Sequence, residues 1–140
     1  MNPYRMSFGW ARNETSARHS YFLWWADHPE KLSHAAFSAL EDEANELLLS
    51  VASVWEMQIK IQLGKLELSL PLKELIKNQQ ETNDLTVSPV TLTHVLALDT
   101  LPFHHKDPFD RLLIAQSIEE DLTLVTADSQ FSAYSVKLLQ

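Results

Sequence analysis

The chain has no cysteine and only two glycines, Gly9 and Gly64, among its 140 residues. Without cysteine there is no disulfide framework, no thiolate zinc site and no cysteine nucleophile. Walker A loops and GxGxxG dinucleotide loops need several closely spaced glycines, so both are excluded. Basic residues are also scarce, with 11 lysines and arginines against 19 acids and a net charge of −8. This balance argues against a broad, positively charged surface that binds nucleic acid. It permits a local site where metal ions neutralise clustered carboxylates.

Long apolar runs are missing as well. No stretch of about 20 apolar residues occurs, so no membrane span is expected. The first 20 residues lack the apolar centre of a secretory signal peptide, and a cytoplasmic location is expected. Apolar residues make up 45% of the chain and charged residues 21%. This composition is typical of a globular protein of one domain.

Two regions differ in pattern. Residues 1–16 show no clear apolar period and are expected to be a poorly ordered, atypical N-terminal segment. Residues 17–140 are expected to form one domain. The predicted strands cover residues 46–50, 85–87, 122–125 and 136–139, and the predicted helices cover residues 21–26, 34–45, 51–63, 71–81, 91–98 and 108–120. Short apolar strands separated by helices predict a three-layer α/β/α sandwich around a parallel sheet, with ligands at the carboxyl ends of the strands.

Asp107 and Asp110 lie three residues apart at the start of a predicted helix, so both face the same side of its first turn. A structural role explains them well. Asp107 is suited to be an N-cap, Pro108 to be the first helical residue, and Asp110 to favour the positive helix end. On this segment alone the structural role is favoured over a chemical one.

Glu56 and Asp128 each have two open interpretations. Glu56 can form an i,i+4 pair with Lys60. Its apolar neighbours also place it at the edge of the core, facing a cleft, because a fully buried acid is costly. Asp128 follows a predicted strand at the edge where ligands bind, or it caps a short turn.

Taken together, these carboxylates can converge at one edge of the sheet. Clustered carboxylates repel each other unless a cation intervenes. The hard cations Mg²⁺ and Mn²⁺ prefer oxygen ligands. The pattern therefore suits metal-assisted hydrolysis of a phosphodiester.

Two other groups receive plainer interpretations. His104 and His105 are adjacent and point in different directions, so we interpret them as loop residues near a bound phosphate rather than as a metal site. The tryptophans are expected in the core or at an interface, since Trp24 and Trp25 follow two other apolar residues.

Five stretches together resemble PIN-domain proteins of the VapC toxin type. The similarity extends over about residues 21–139, and its most specific part is residues 105–116. The stretches are Phe-Leu-Trp-Trp at 22–25, Ser-Val-Ala-Ser-Val-Trp-Glu at 50–56, Leu-Gly-Lys-Leu at 63–66, His-His-Lys-Asp-Pro-Phe-Asp-Arg-Leu-Leu-Ile-Ala-Gln at 104–116, and Leu-Val-Thr-Ala-Asp at 124–128.

The resemblance implies a PIN-like α/β/α sandwich and a ribonuclease that depends on Mg²⁺ or Mn²⁺. It implies an RNA substrate, a cognate antitoxin that blocks the site, and a homodimer. The site residues that it implies are three catalytic metal ligands, Glu56, Asp110 and Asp128, and two accessory residues, Asp107 and Thr126. Arg111 is a further accessory candidate, which with Lys60 or Lys106 could bind phosphate.

One motif of the family is missing. The family's first strand ends in Asp-Thr-His, and the aspartate is a metal ligand; here Arg18, His19 and Ser20 stand at those positions. The alternative function is therefore a catalytically impaired PIN-fold protein that binds an antitoxin or itself. A reading-frame shift is one explanation, because codons for residues 16–21 can read Val-Leu-Asp-Thr-His in another frame. Sequencing the gene across codons 14 to 22 tests this idea.

Overall fold

The computed structural model describes residues 5–12, 18–126 and 129–139. Within these residues the chain forms seven strands and six α-helices. The strands are β1 (Arg5–Phe8), β2 (Trp10–Arg12), β3 (Arg18–Ser20), β4 (Glu46–Ser50), β5 (Thr86–Ser88), β6 (Thr123–Val125) and β7 (Lys137–Leu139). The helices are α1 (Tyr21–Asp27), α2 (His34–Glu41), α3 (Val51–Gln62), α4 (Leu72–Asn83), α5 (Leu92–Leu96) and α6 (Pro108–Glu119).

Five parallel strands make the central sheet in the order β5-β4-β1-β6-β7. Strand β1 is the middle one, and its Ser7 lies opposite Leu48 of β4 and Leu124 of β6. The predicted parallel sheet with helices on both faces is confirmed. All four predicted strands are present, each within about one residue of its predicted bounds.

The position of β1 corrects the expectation for the N-terminal segment. Residues 1–16 were expected to be loosely packed, which is wrong for Arg5–Phe8, because these four residues form the centre of the sheet. Met6 and Phe8 are buried there. Four residues are too few to show a period in the sequence, and the strand is stabilised by pairing on both of its sides.

A short antiparallel hairpin, β2–β3, lies between β1 and α1. The Tyr21 N–H donates to the Gly9 carbonyl at 3.0 Å. The chain therefore leaves the sheet after Gly9 and returns beside it to begin α1.

Two apolar cores cover the two faces of the sheet. Met6 and Phe8 of β1 belong to one core together with Val125 of β6. Leu124, the neighbour of Val125, belongs to the other core, with Ile114 of α6. Because successive side chains of a strand point to opposite faces, the two cores lie on opposite sides of the sheet.

Side-chain caps set several helix starts. The Ser33 hydroxyl accepts from the Ala36 N–H at the start of α2, as predicted. Ser50 caps α3 in the same way. Helix α2 ends four residues before the predicted position, because the Asp42 carboxylate accepts from the Ala44 N–H and turns the chain. None of the helices in the described ranges is both long and apolar enough to cross a bilayer.

Candidate metal centre

Three carboxylates from two helices meet beside the sheet. Glu56 comes from the second turn of α3, which follows β4 directly, while Asp107 and Asp110 come from the start of α6. Each offers one ligand atom, and these atoms all lie within 4.8 Å of one another. The tertiary structure therefore brings together three of the four acids that the sequence singled out.

Asp107 has the structural role that its position predicted. Its carboxylate accepts from the Phe109 N–H at 2.9 Å and from the Asp110 N–H at 3.1 Å, so it caps α6. The capping and clustering roles are compatible, because a carboxylate has two oxygens with about four lone pairs. Asp110 is fully buried, at 0% exposure.

Glu56 lies deeper than expected. The sequence placed it at the edge of the core, but it is only 4% exposed. Its Oε2 lies 3.6 Å from Nζ of Lys60, which is the predicted i,i+4 pair. The lysine stabilises a carboxylate that would otherwise be costly to bury.

The chemistry of these donors fits a hard divalent cation. All three candidate ligands are carboxylates, the type that Mg²⁺ and Mn²⁺ favour. Three carboxylates so close together repel each other. One lysine at their edge offsets part of that charge, and a cation would offset the rest.

His105, which was predicted to be a loop residue and does lie in the loop before α6, contacts this centre. His105 is buried, and its Nε2 lies 3.1 Å from Oδ2 of Asp110. Its Nδ1 accepts from the Asp107 N–H at 3.1 Å. The signal in the sequence is the spacing of His105 two residues before the N-cap of α6.

The Arg111 guanidinium contacts the loop that precedes α6. Its guanidinium donates to the carbonyls of Pro102 at 2.8 Å and Leu101 at 3.2 Å. It also lies 3.9 Å from the centre of the Phe103 ring. The arginine is buried by these contacts and anchors the loop that precedes α6.

Thr126 and Gly9 lie at the end of the central strands. Thr126 is buried directly after β6. A Cβ added at Gly9 would lie 2.9 Å from Cβ of Thr126. Gly9 thus follows directly after Phe8, the last residue of β1, whereas Arg18 lies in strand β3. Asp128 lies outside the described residues.

Aromatic side chains lie near the acids. Trp55, next to Glu56, is 60% exposed and packs edge-on against Phe109, with ring centres 5.0 Å apart. Trp25 lies in the core, as expected. His104 packs edge-on against Tyr134, with ring centres 5.1 Å apart.

Comparison with known proteins identifies a family and a relative. The family model of the PIN domain matches residues 19–137. Ribonuclease VapC22 of Mycobacterium tuberculosis is 30% identical over 113 residues, which is 79% of this chain and 84% of that relative. The central strand β1 lies outside the residues that the family model matches.

Proposed function

Because the chain belongs to the PIN domain family, we propose that it is a metal-dependent endoribonuclease of the VapC toxin type. The reaction is hydrolysis of RNA phosphodiesters by an activated water. The observation that carries the proposal is the cluster of Glu56, Asp107 and Asp110. The similarity to a ribonuclease from Mycobacterium tuberculosis supports the choice of RNA.

Glu56 and Asp110 would hold the cation, with Asp107 as an accessory acid and Asp128 as the further ligand that the family resemblance implies. Bound Mg²⁺ or Mn²⁺ supplies the chemistry of orienting a phosphate, lowering the pKa of water and stabilising the leaving oxygen. The Lys60 ammonium, 3.6 Å from Oε2 of Glu56, offsets part of the negative charge of the acids. Thr126 offers a buried hydroxyl at the end of β6 to orient water or a ligand.

The positively charged side chains that suit contact with RNA lie beside the clustered acids. Lys106 is exposed in the loop beside Asp107 and suits contact with a phosphate. Lys60 lies beside Glu56. With a net charge of −8, the chain depends on such local contacts and on the cation to hold a polyanion.

The proposed function includes protein partners, namely a cognate antitoxin and a second copy of the chain. Large apolar side chains on α5 and the loop after it are exposed, which supports a surface for protein contact. They include Leu92 at 73%, Leu96 at 63% and Phe103 at 84% exposure.

The test is cleavage of a structured RNA by the purified chain with Mg²⁺ or Mn²⁺, and with EDTA. Glu56→Gln and Asp110→Asn should each lower the cleavage rate roughly 100-fold or more, because each removes a carboxylate from the cation. Glu74→Gln is the matched control, since Glu74 is exposed on α4. It should cleave at the wild-type rate.

Cleavage that persists in EDTA, or in Asp110→Asn, would contradict the proposal. A further variant, Arg18→Asp, distinguishes the proposed ribonuclease from the alternative, a catalytically impaired PIN-fold protein. Cleavage by Arg18→Asp but not by the wild type would identify a PIN-fold protein that lacks activity for want of an acid. Such a result would favour a role in binding an antitoxin or a second copy.

A further inference from the structure

Trp55 is an exposed tryptophan directly beside one of the clustered acids. The sequence predicts the tryptophans in the core or at an interface, and Trp25 does lie in the core. Trp55 instead is 60% exposed on α3, although its neighbour Glu56 is buried. A single exposed apolar side chain is ordinary on a protein surface. The surroundings of Trp55 therefore decide what it can bind.

The Trp55 ring is held against the other helix of the metal centre. It packs edge-on against Phe109, with ring centres 5.0 Å apart and planes inclined by 74°. Phe109 lies between Asp107 and Asp110 in the first turn of α6. The two rings, which we call the aromatic pair, thus connect the two helices that carry the acids. The contact restrains the indole while most of its surface stays exposed, so little freedom is lost when a flat ligand stacks on it.

The charges around the aromatic pair suit a strand of RNA. Lys60 follows one turn after Glu56 on α3, and Lys106 directly precedes Asp107. With a net charge of −8, the chain gains little from a general attraction for polyanions. Stacking on an aromatic ring needs no positive charge, and every nucleobase has an aromatic face. An acidic chain that acts on RNA therefore gains affinity from stacking that its net charge does not supply.

The position of Trp55 favours a nucleobase over a partner protein. The exposed apolar side chains suited to protein contact, such as Leu92 and Leu96, lie on α5. Trp55 lies on α3, next to the acids. In an RNA strand each internal phosphate is flanked by nucleobases one sugar away. A phosphate at the metal centre thus brings a base to the border of that centre, where the aromatic pair lies.

We propose that Trp55 binds an unpaired nucleobase of the RNA by stacking, beside the phosphate at the metal centre, with Phe109 supporting the indole. This inference rests on the proposed function. The base must be unpaired, because a base within a duplex does not expose its face. Stacking tolerates all four bases and favours the larger rings of purines. Trp55 would thus direct cleavage to single-stranded RNA with a purine next to the cleaved bond.

The test compares three single-stranded RNAs of equal length and charge, namely oligoadenylate, oligouridylate and an oligomer without bases. Each is titrated into the full chain with Ca²⁺ in place of Mg²⁺, and a gel checks that the RNA stays intact. Trp55→Leu removes the aromatic face, and Trp55→Phe keeps a smaller one. Phe37→Leu is the matched control, because Phe37 is also exposed but lies on α2, which carries none of the three acids.

Trp55→Leu should raise the Kd for oligoadenylate about 5–150-fold, the range for loss of one stacked base. The loss should be smaller for oligouridylate and absent for the oligomer without bases. Trp55→Phe should lose less than Trp55→Leu, and Phe37→Leu should bind like the wild type. The ratio of the Kd values of Trp55→Leu and wild type should not change with salt, since no charge has been removed.

Tryptophan fluorescence gives a direct readout of stacking. Oligoadenylate should quench the fluorescence of the wild type and of Phe37→Leu, and this quenching should be absent from Trp55→Leu. Unfolding in urea is measured for each variant, and affinity that follows stability alone contradicts the proposal. An equal loss for the oligomer without bases also contradicts it. If Trp55→Leu changes the sedimentation of the chain but not its RNA affinity, the ring belongs to a protein interface and the proposal is wrong.

Failure of this inference differs from failure of the proposed function. If the wild type cleaves RNA with Mg²⁺ but not in EDTA, and Trp55→Leu binds and cleaves equally well, the ribonuclease stands and the stacking role is wrong. If oligoadenylate quenches Trp55 and no variant or wild-type chain cleaves RNA, the stacking role stands and the ribonuclease activity is wrong.

Discussion

Arg111 shows how a charged residue beside a candidate site can serve the fold. Its guanidinium is buried and satisfies carbonyls of Leu101 and Pro102 in the loop before α6. That loop leads to His105 and Asp107, so the arginine supports the metal centre through the backbone. A buried arginine with carbonyl partners contributes to stability, because its loss leaves polar groups unsatisfied.

Arg111→Met is therefore expected to lower the free energy of unfolding by about 1–3 kcal/mol. Urea denaturation measures this change. Lys106→Met is the control, since Lys106 is exposed in the same loop, and its effect should stay within about 0.5 kcal/mol. A stable Arg111→Met protein that had lost only RNA binding would instead indicate a phosphate contact.

At the scale of elements, the close approach of β1 and β6 depends on Gly9. The Gly9 N–H donates to the Val125 carbonyl at 2.7 Å. A Cβ at Gly9 would lie 3.0 Å from that carbonyl oxygen and 2.9 Å from Cβ of Thr126. Such contacts force the strands apart, so this glycine is needed for packing rather than for an unusual backbone angle.

Gly9→Ala is expected to cost about 1–3 kcal/mol of stability, because the added methyl overpacks two paired strands. Gly64 offers a matched comparison. It follows α3 with φ of +70° and has open space around it, so Gly64→Ala should cost about 1 kcal/mol from backbone strain alone. Thermal and urea unfolding of both variants measure the difference. If Gly9→Ala left the free energy of unfolding unchanged, the two strands could accommodate the added methyl group and the predicted overpacking would be wrong.

For the whole molecule, the middle strand decides whether the sheet is one unit. Strand β1 pairs with β4 on one side and β6 on the other. Without it the sheet would divide into the pairs β4–β5 and β6–β7. Two-stranded pieces are at best marginally stable, so the domain needs residues from the segment that the sequence assigned to disorder.

A chain that begins at Arg18, close to the predicted domain boundary, is therefore expected to lose cooperative unfolding. Urea denaturation followed by circular dichroism, with the full chain for comparison, measures this loss of cooperativity. The control begins at Arg5 and retains β1, and it should unfold like the full chain. A cooperative transition in the chain that begins at Arg18 would mean that β1 is dispensable.

The fold class and the important residues of α6 could be predicted from the order of residue types along the chain. Short apolar runs such as 46–50 and 122–125 have the length of buried strands, and Asp107 before Pro108 has the local chemistry of a helix start. These signals are local, so they can be read without a structure. They also allowed Glu56 and Asp110 to be proposed together.

Which side chains contact each other depends on how the helices and strands pack. Strand β1 is too short for a local pattern and exists because two neighbours pair with it. The contacts of His105 with Asp110 and Phe131, and of Arg111 with the Pro102 carbonyl, depend on how the loop before α6 packs. Contacts of this kind arise when helices and strands pack, and no local pattern encodes their direction.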